Sequence, residues 1–378
     1  MAIYLDHAAT TPIHPQVREA MLPYLDQLYG NPSSIHGFGR EIRNAVDRAR
    51  DQVAFGLNAD PSQLIFTSGG TEADNLALVG TALAQREKGR DHVITSSVEH
   101  HAVLDTCAYL ERLGFRVTYL PVDRSARVDP DAFQKALDGR TAVVSVMFGN
   151  NEVGTLQPIE AIGSLSREAG AFFHTDAVQA YGMEAVDVER LPVDLVTLSS
   201  HKINGPKGVG ALYLSRAVKM WPQMYGGQQE RRRRAGTENV LGIVGFGKAA
   251  EIAVANREHH RNEARRCREA MVTEWKAADI DFQVNGHPTE HLPHILNVSF
   301  PCTDTETMLM SLDMEGIACS SGSACTSGTL KISHVLRAMN LPEAETRSAI
   351  RFSFGLGNTP EQTSQAARTV AEVVKRLK

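Results

Sequence analysis

Short apolar runs alternating with helix-patterned segments constrain this chain more than any other feature. LIFTSGG, HVITSS, RVTYLPV, AVVSVMF, AFFHTD, DLVTLSS and VGALYL read as strands, being short, apolar and rich in β-branched residues. Between most of them lie segments with helical spacing, such as DNLALVGTALA and IEAIGSLSREAG. This alternation calls for right-handed crossovers and a mostly parallel sheet with helices on both faces. Ligands of such α/β sheets bind beyond the carboxyl ends of the strands, so the chemistry is sought there.

The character changes after about residue 258. A long charged helix, NREHHRNEARRCREAMVTEWKAA, precedes the short strands ILNVSF and IRFSFG and helices around MLMSLDM, SHVLRAM and TSQAARTVAEVVKRLK. With 378 residues the chain is long enough for two domains. The expected division is a large domain over 15–258 and a smaller α+β domain over 259–378. A net charge of −5 argues against a nucleic-acid surface, and no apolar run is long enough to span a bilayer. MAIYLDHAATTP has no basic region followed by an apolar run, so a cytoplasmic protein is expected.

The five cysteines are Cys107, Cys267, Cys302, Cys319 and Cys325. The number is odd and no CxxC pair occurs, which argues against disulfides and against zinc. His259 and His260, in NREHHRNEARR, read as a solvated helix face. Cys325 stands apart from the others, because SSGSACTSG offers it no apolar neighbours. Cys107, Cys267, Cys302 and Cys319 read as small buried residues.

Four strand ends carry polar residues. In LIFTSGGTEADN a strand runs into Ser68-Gly69-Gly70 and a helix opens near Thr71. This is either an anion cradle at a helix N-terminus or a plain turn capped by Thr71. AFFHTDAVQA places Asp176 at the end of an apolar strand, with Gln179 three residues on. In DLVTLSSHKINGPKG, Lys202 follows His201 at another strand end, where a depressed pKa would suit Schiff-base chemistry. HVITSSVEHHAVL offers His100 for stacking or proton transfer. Each has a bland alternative as a cap, a turn or a structural histidine. Together they match the needs of pyridoxal 5'-phosphate: donors for a phosphate, a carboxylate for the ring nitrogen and a lysine for the aldehyde.

YLDHAATTP, GNPSSIHGFGR, TSGGTEADN, EHHAVL, GNNEVGT, HTDAVQ, SSHKINGPKGVGALY, RAGTEN, SSGSACTSG and IRFSFG occur in this order. In this the chain resembles the NifS/IscS-type cysteine desulfurases over nearly its whole length. The resemblance implies a fold-type I, aspartate-aminotransferase-like architecture with a seven-stranded sheet, residues 1–14 packing with the small domain, and a homodimer. It implies Lys202 as the Schiff-base lysine, Asp176 on the ring nitrogen, Gln179 on the ring hydroxyl and His100 over the ring face. Gly70, Thr71, Ser199 and His201 match phosphate binders, Gly70 standing where relatives often carry alanine. Thr237, in RAGTEN, matches a threonine that reaches the phosphate of the other subunit. Asn151 and Arg351 match residues near the substrate carboxylate, and Cys325 matches the nucleophile. The implied reaction converts L-cysteine to L-alanine and leaves a persulfide on Cys325 for a sulfur acceptor, an iron–sulfur scaffold or a tRNA-thiolation enzyme. A lyase acting on selenocysteine or a desulfinase, a sulfur or metal carrier without catalysis, and an aminotransferase with an incidental cysteine are the rival readings. The basic run Arg231–Arg234 reads as a solvated rim or as a surface for an acidic partner or an RNA carrier.

Overall fold

The computed structural model describes residues 2–322 and 332–377. Strand β1 (Ile3–Tyr4) stands apart from the main sheet. β2 (Leu64–Thr67), β3 (His92–Ser96), β4 (Arg116–Leu120), β5 (Thr141–Ser145), β6 (Phe172–Asp176), β7 (Leu195–Ser199) and β8 (Gly210–Leu214) form a seven-stranded sheet. Its order is β2-β8-β7-β6-β5-β3-β4. The strands from β4 to β7 are parallel, and β8 runs antiparallel to both of its neighbours. β3, β5 and β7 are buried at every residue, which explains why they read as continuous apolar runs. The edge strand β4 is exposed or half-buried until its last residue.

The second part holds β9 (Gln283–Asn285), β10 (Ile295–Ser299), β11 (Ile317–Ala318) and β12 (Ala349–Ser353). β12, β10 and β9 make a three-stranded antiparallel sheet, and β11 pairs in parallel with β1. A helix runs unbroken over Arg257–Ala277, so the boundary expected at 258/259 falls within its first turn. Its buried residues, Ala264, Cys267, Met271 and Trp275, recur every three or four positions and form one stripe. That stripe packs into a core with Leu5, Phe300, Phe352 and Val370, separate from the core of the large sheet around Val144, Phe173, Leu198 and Phe246. Trp275 meets Phe300 edge-on at 5.3 Å, and its indole N–H donates to the Ala367 carbonyl at 3.0 Å.

Cys107 and Cys267 are buried as expected, and Cys319 is half-buried with its thiol pushed up to about 12 by desolvation. Cys302 departs from expectation: it is exposed, at φ 71° in the turn between β10 and the Thr305–Met314 helix. His259 is exposed and His260 half-buried; both line a cavity beside the Arg257–Ala277 helix.

The basic run sits on a left-handed turn, with φ of 45°, 55° and 65° at Glu230, Arg231 and Arg232. L-residues adopt this conformation at a cost, so something must hold it. The buried Glu230 carboxylate accepts from both terminal nitrogens of Arg50, at 2.8 and 2.7 Å, and from the Phe66 amide at 3.2 Å. Arg231 and Arg232 are exposed, as a rim would be, whereas Arg234 turns in to bond Glu72 at 2.8 Å. Glu230→Ala strands the Arg50 guanidinium, and removing one partner of a buried pair costs about 3–5 kcal/mol. The urea midpoint should fall accordingly, and a midpoint within error of wild type would remove the pair from this role.

Candidate active site

Most of the strand-end residues converge at the carboxyl edge of the sheet. β2 ends at Thr67, and after Ser68 and Gly69 the helix Gly70–Arg86 begins. Thr71 is not its cap: Gly69 holds the cap position and no side chain bonds the first-turn amides. The Glu72 carboxylate, which follows closely enough to have done so, instead accepts from the Ser68 amide at 2.8 Å and pairs with Arg234. The first turn therefore keeps N–H groups free for an anion at the positive end of a 17-residue helix. A methyl group at position 70 would lie 3.0 Å from Val178 Cγ2, so glycine keeps this corner open.

Asp176 is the last residue of β6, and its Oδ1 accepts from the Val178 amide at 2.8 Å. Burial raises its pKa, while the charges of His100 and Lys202 oppose the rise. Ser199 ends β7 with its hydroxyl buried and without a hydrogen-bond partner among the described residues, and a single 3-10 turn then carries His201 and Lys202. His201 Nδ1 lies 3.1 Å from the Thr10 hydroxyl, and burial with two neighbouring lysines pushes the ring down to about 4. His100 caps the helix after β3, its Nδ1 accepting from the Ala102 amide at 3.1 Å. In neutral His100, Nε2 therefore carries the proton. Desolvation lowers the pKa of His100, Asp176 countering it in part.

A cavity of about 370 Å³ is lined by Gly70, Thr71, His100, Asn151, Asp176 and Gln179. Ser199, His201, Lys202, Arg351 and Asp74 line it as well. Thr237 is exposed and does not line it. Cys325 lies outside the described residues; Ser320 and Gly322, which precede it, line the cavity. A second opening of about 360 Å³ is lined by Ser68, Gly69 and Lys207 and shares Gly70, Thr71, Ser199 and His201 with the first.

The N-terminal segment marked by YLDHAATTP contributes contacts that the motif did not specify. Lys202 Nζ donates to the carbonyls of Ala8 and Ala9 at 2.5 and 2.7 Å. Gln179 Nε2 donates to Ala8 O at 2.9 Å, and its Oε1 lies 3.3 Å from His294 Nε2. Arg351 Nη2 pairs with Asp6 at 2.7 Å, and Nη1 donates to the main-chain carbonyl of Asn151 at 2.9 Å. Its Nε has no partner among the described residues. The polar string DHAATT beside a strand was the available clue.

These residues fit pyridoxal 5'-phosphate. An uncapped helix N-terminus and the orphaned Ser199 hydroxyl suit the phosphate, buried Asp176 suits the ring nitrogen and Lys202 suits the aldehyde. Residues 3–365 match the family described as aminotransferase class-V. The chain belongs to that family. It is 53% identical to the putative cysteine desulfurase IscS 1 of Bacillus subtilis, over 99% of both chains. It is 46% identical to the cysteine desulfurase IscS of Dictyoglomus turgidum, covering 100% of this chain and 95% of that one. A solved NifS-like protein superposes with TM-score 0.93 at 36% identity, over 100% of both chains. A structure of SspA in complex with cysteine matches with TM-score 0.82 at 36% identity, over 93% of this chain and 98% of that one. The family resemblance and the fold read from the motifs are thereby borne out.

Within this class-V aminotransferase site, burial and the charge of Arg351 lower Lys202 to about 8. Only the free amine can attack an aldehyde, and its fraction rises as pH rises through that value. Capture of pyridoxal 5'-phosphate by the cofactor-free protein should accelerate with pH and level off above about 8. A rate still climbing toward the ordinary lysine range, about 10.4, would contradict the depressed amine.

Proposed function

We propose that this chain is a cysteine desulfurase that moves the sulfur of L-cysteine onto Cys325 and releases L-alanine. The observation that carries the reading is one cavity lined by a half-buried lysine, a buried acid, a buried arginine, and Ser320 and Gly322 from the start of SSGSAC. Pyridoxal 5'-phosphate, held by Gly70, Thr71, Ser199 and His201 at its phosphate and by Asp176 at its ring nitrogen, supplies an aldehyde for the substrate amine and a sink for electrons.

Arg351 is the anchor for the substrate carboxylate. Asp6 and the Asn151 carbonyl fix its plane beforehand, which reduces the ordering needed when substrate arrives. Lys202 would be the base for the Cα proton, and the Ala8 and Ala9 carbonyls would hold its ammonium form. His100 carries a proton on Nε2 at the cavity wall and serves as the shuttle. Gln179, fixed between Ala8 and His294, presents its amide to the ring hydroxyl. Cys325 acts as the thiolate. An S–S bond forms as the Cβ–S bond breaks, the electron pair stays with carbon, and protonation of that carbon gives the methyl group of alanine.

The second opening, at the phosphate end, is where Thr237 of a partner subunit would close the site in a homodimer. The acceptor of the persulfide sulfur is a protein, an iron–sulfur scaffold or a tRNA-thiolation enzyme. A reducing cytoplasm suits this chemistry, and Cys107, Cys267, Cys302 and Cys319 are all free thiols. No helix among the described residues is long and apolar enough to cross a membrane.

Lys202→Ala should abolish steady-state alanine formation, and retained turnover would remove the lysine from its role. Cys325→Ser should still bind the cofactor, with a normal visible spectrum, yet release no sulfide from cysteine in the presence of a reducing thiol. Undiminished sulfide release by that variant would favour direct elimination over transfer to the enzyme.

A further inference from the structure

The cavity that Asp176 lines holds a second buried carboxyl that the mechanism above does not use. Asp74 sits on the Gly70–Arg86 helix, 1% exposed, and lines the same cavity as Asp176. Its Oδ1 is 3.6 Å from His174 Nε2 and has no hydrogen-bond partner among the described residues. His174 is two residues before Asp176 on β6, so both side chains leave the same face of the strand. Thr197, the register partner of Asp176 on β7, has its hydroxyl 3.0 Å from His174 Nε2, and Ser145 Oγ lies 2.8 Å from His174 Nδ1.

We propose that Asp74 is a positioning residue that holds a proton beside Asp176, so that Asp176 is the charged member of the pair. The inference rests on the reading of Asp176 as the partner of the ring nitrogen. Two carboxyls buried in one site resist carrying two charges, and the proton goes to the one with less compensation. Asp176 has the Val178 amide and the charge of Lys202 in its favour. Asp74 has the Thr197 hydroxyl alone, and the charges of Asp176 and Glu99 work against its ionisation. His174 is no counter-ion, because full burial pushes it down to about 3 and leaves it neutral. The contact between His174 and Asp74 is therefore between neutral groups, and desolvation keeps the Asp74 proton in place. Glu99 is the other buried acid nearby, pushed up to about 8, and any test must tell it from an aspartate.

Infrared spectroscopy of the cofactor-loaded protein, with carboxyl-labelled aspartate incorporated, makes that distinction. The label shifts the protonated-carboxyl band of Asp74 and leaves that of Glu99 in place. At neutral pH the labelled wild type should show a shifted band, and Asp74→Asn, which keeps the shape and a donor group, should lose it. A band that persists in Asp74→Asn places the proton on another aspartate and overturns the proposal. Absence of a shifted band in the labelled wild type at neutral pH overturns the proposal whether or not the variant folds. The measurement needs no substrate and no turnover, so failure of the desulfurase reading would leave its outcome interpretable.

Discussion

The site depends on a short N-terminal strap, Asp6 to Thr11, bonded from both sides. Lys202 and Gln179 bond the Ala8 carbonyl, and His201 bonds Thr10 and Thr11. From the small sheet, Arg351 holds Asp6, and the Ser353 hydroxyl accepts from the Ala8 amide at 2.8 Å. Each bond is worth only about 0.5–1.5 kcal/mol net, or about 1.5–3 kcal/mol where a charged group takes part. Their number matters more than their individual strength, because they register β12 against the end of β7 through one piece of chain. Arg351 thereby comes to the cavity that contains Lys202 and Asp176, although its neighbours Ile350 and Phe352 belong to the other core.

Charge follows from that assembly. Lys202 is lowered because it is buried near Arg351, and Asp6 and Asp176 offset only part of this. His201 and His100 are likewise depressed by desolvation. The cavity thus presents neutral rings, a lysine that yields its proton near neutrality and a guanidinium that remains charged. That division suits binding an anionic amino acid and then moving protons around it.

The large sheet was legible because its buried strands are apolar throughout and its ligand edge is marked by Asp176, Ser199 and Lys202 directly after such runs. The helix of residues 257–277 was legible from its spacing, and Arg351 through the IRFSFG motif. Capping was not: TSGGTE satisfies the composition of a capped start, yet the chain leaves Thr71 uncommitted and turns Glu72 toward Ser68 and Arg234. Composition cannot decide between two acceptors for the same amides. The strap was marked by YLDHAATTP, but its role at the site was not legible, because it contributes mainly through backbone carbonyls, which carry no residue signature. Asp74 was hidden for a different reason, since its burial depends on His174 and Thr197, residues on two separate strands. Cys302 was misjudged from residue type, which favours burial, whereas its left-handed turn places it at the surface.

The central claim is that sulfur leaves cysteine as a bond to one particular thiol. The most direct measurement is a single turnover with isotopically labelled-sulfur cysteine, followed by alkylation and peptide mass spectrometry across all five cysteines. The account predicts the label on the peptide containing Cys325 as a persulfide, in proportion to alanine formed, with Cys107, Cys267, Cys302 and Cys319 unlabelled. Label released as free sulfide with Cys325 unmodified, or carried first by another cysteine, would contradict it.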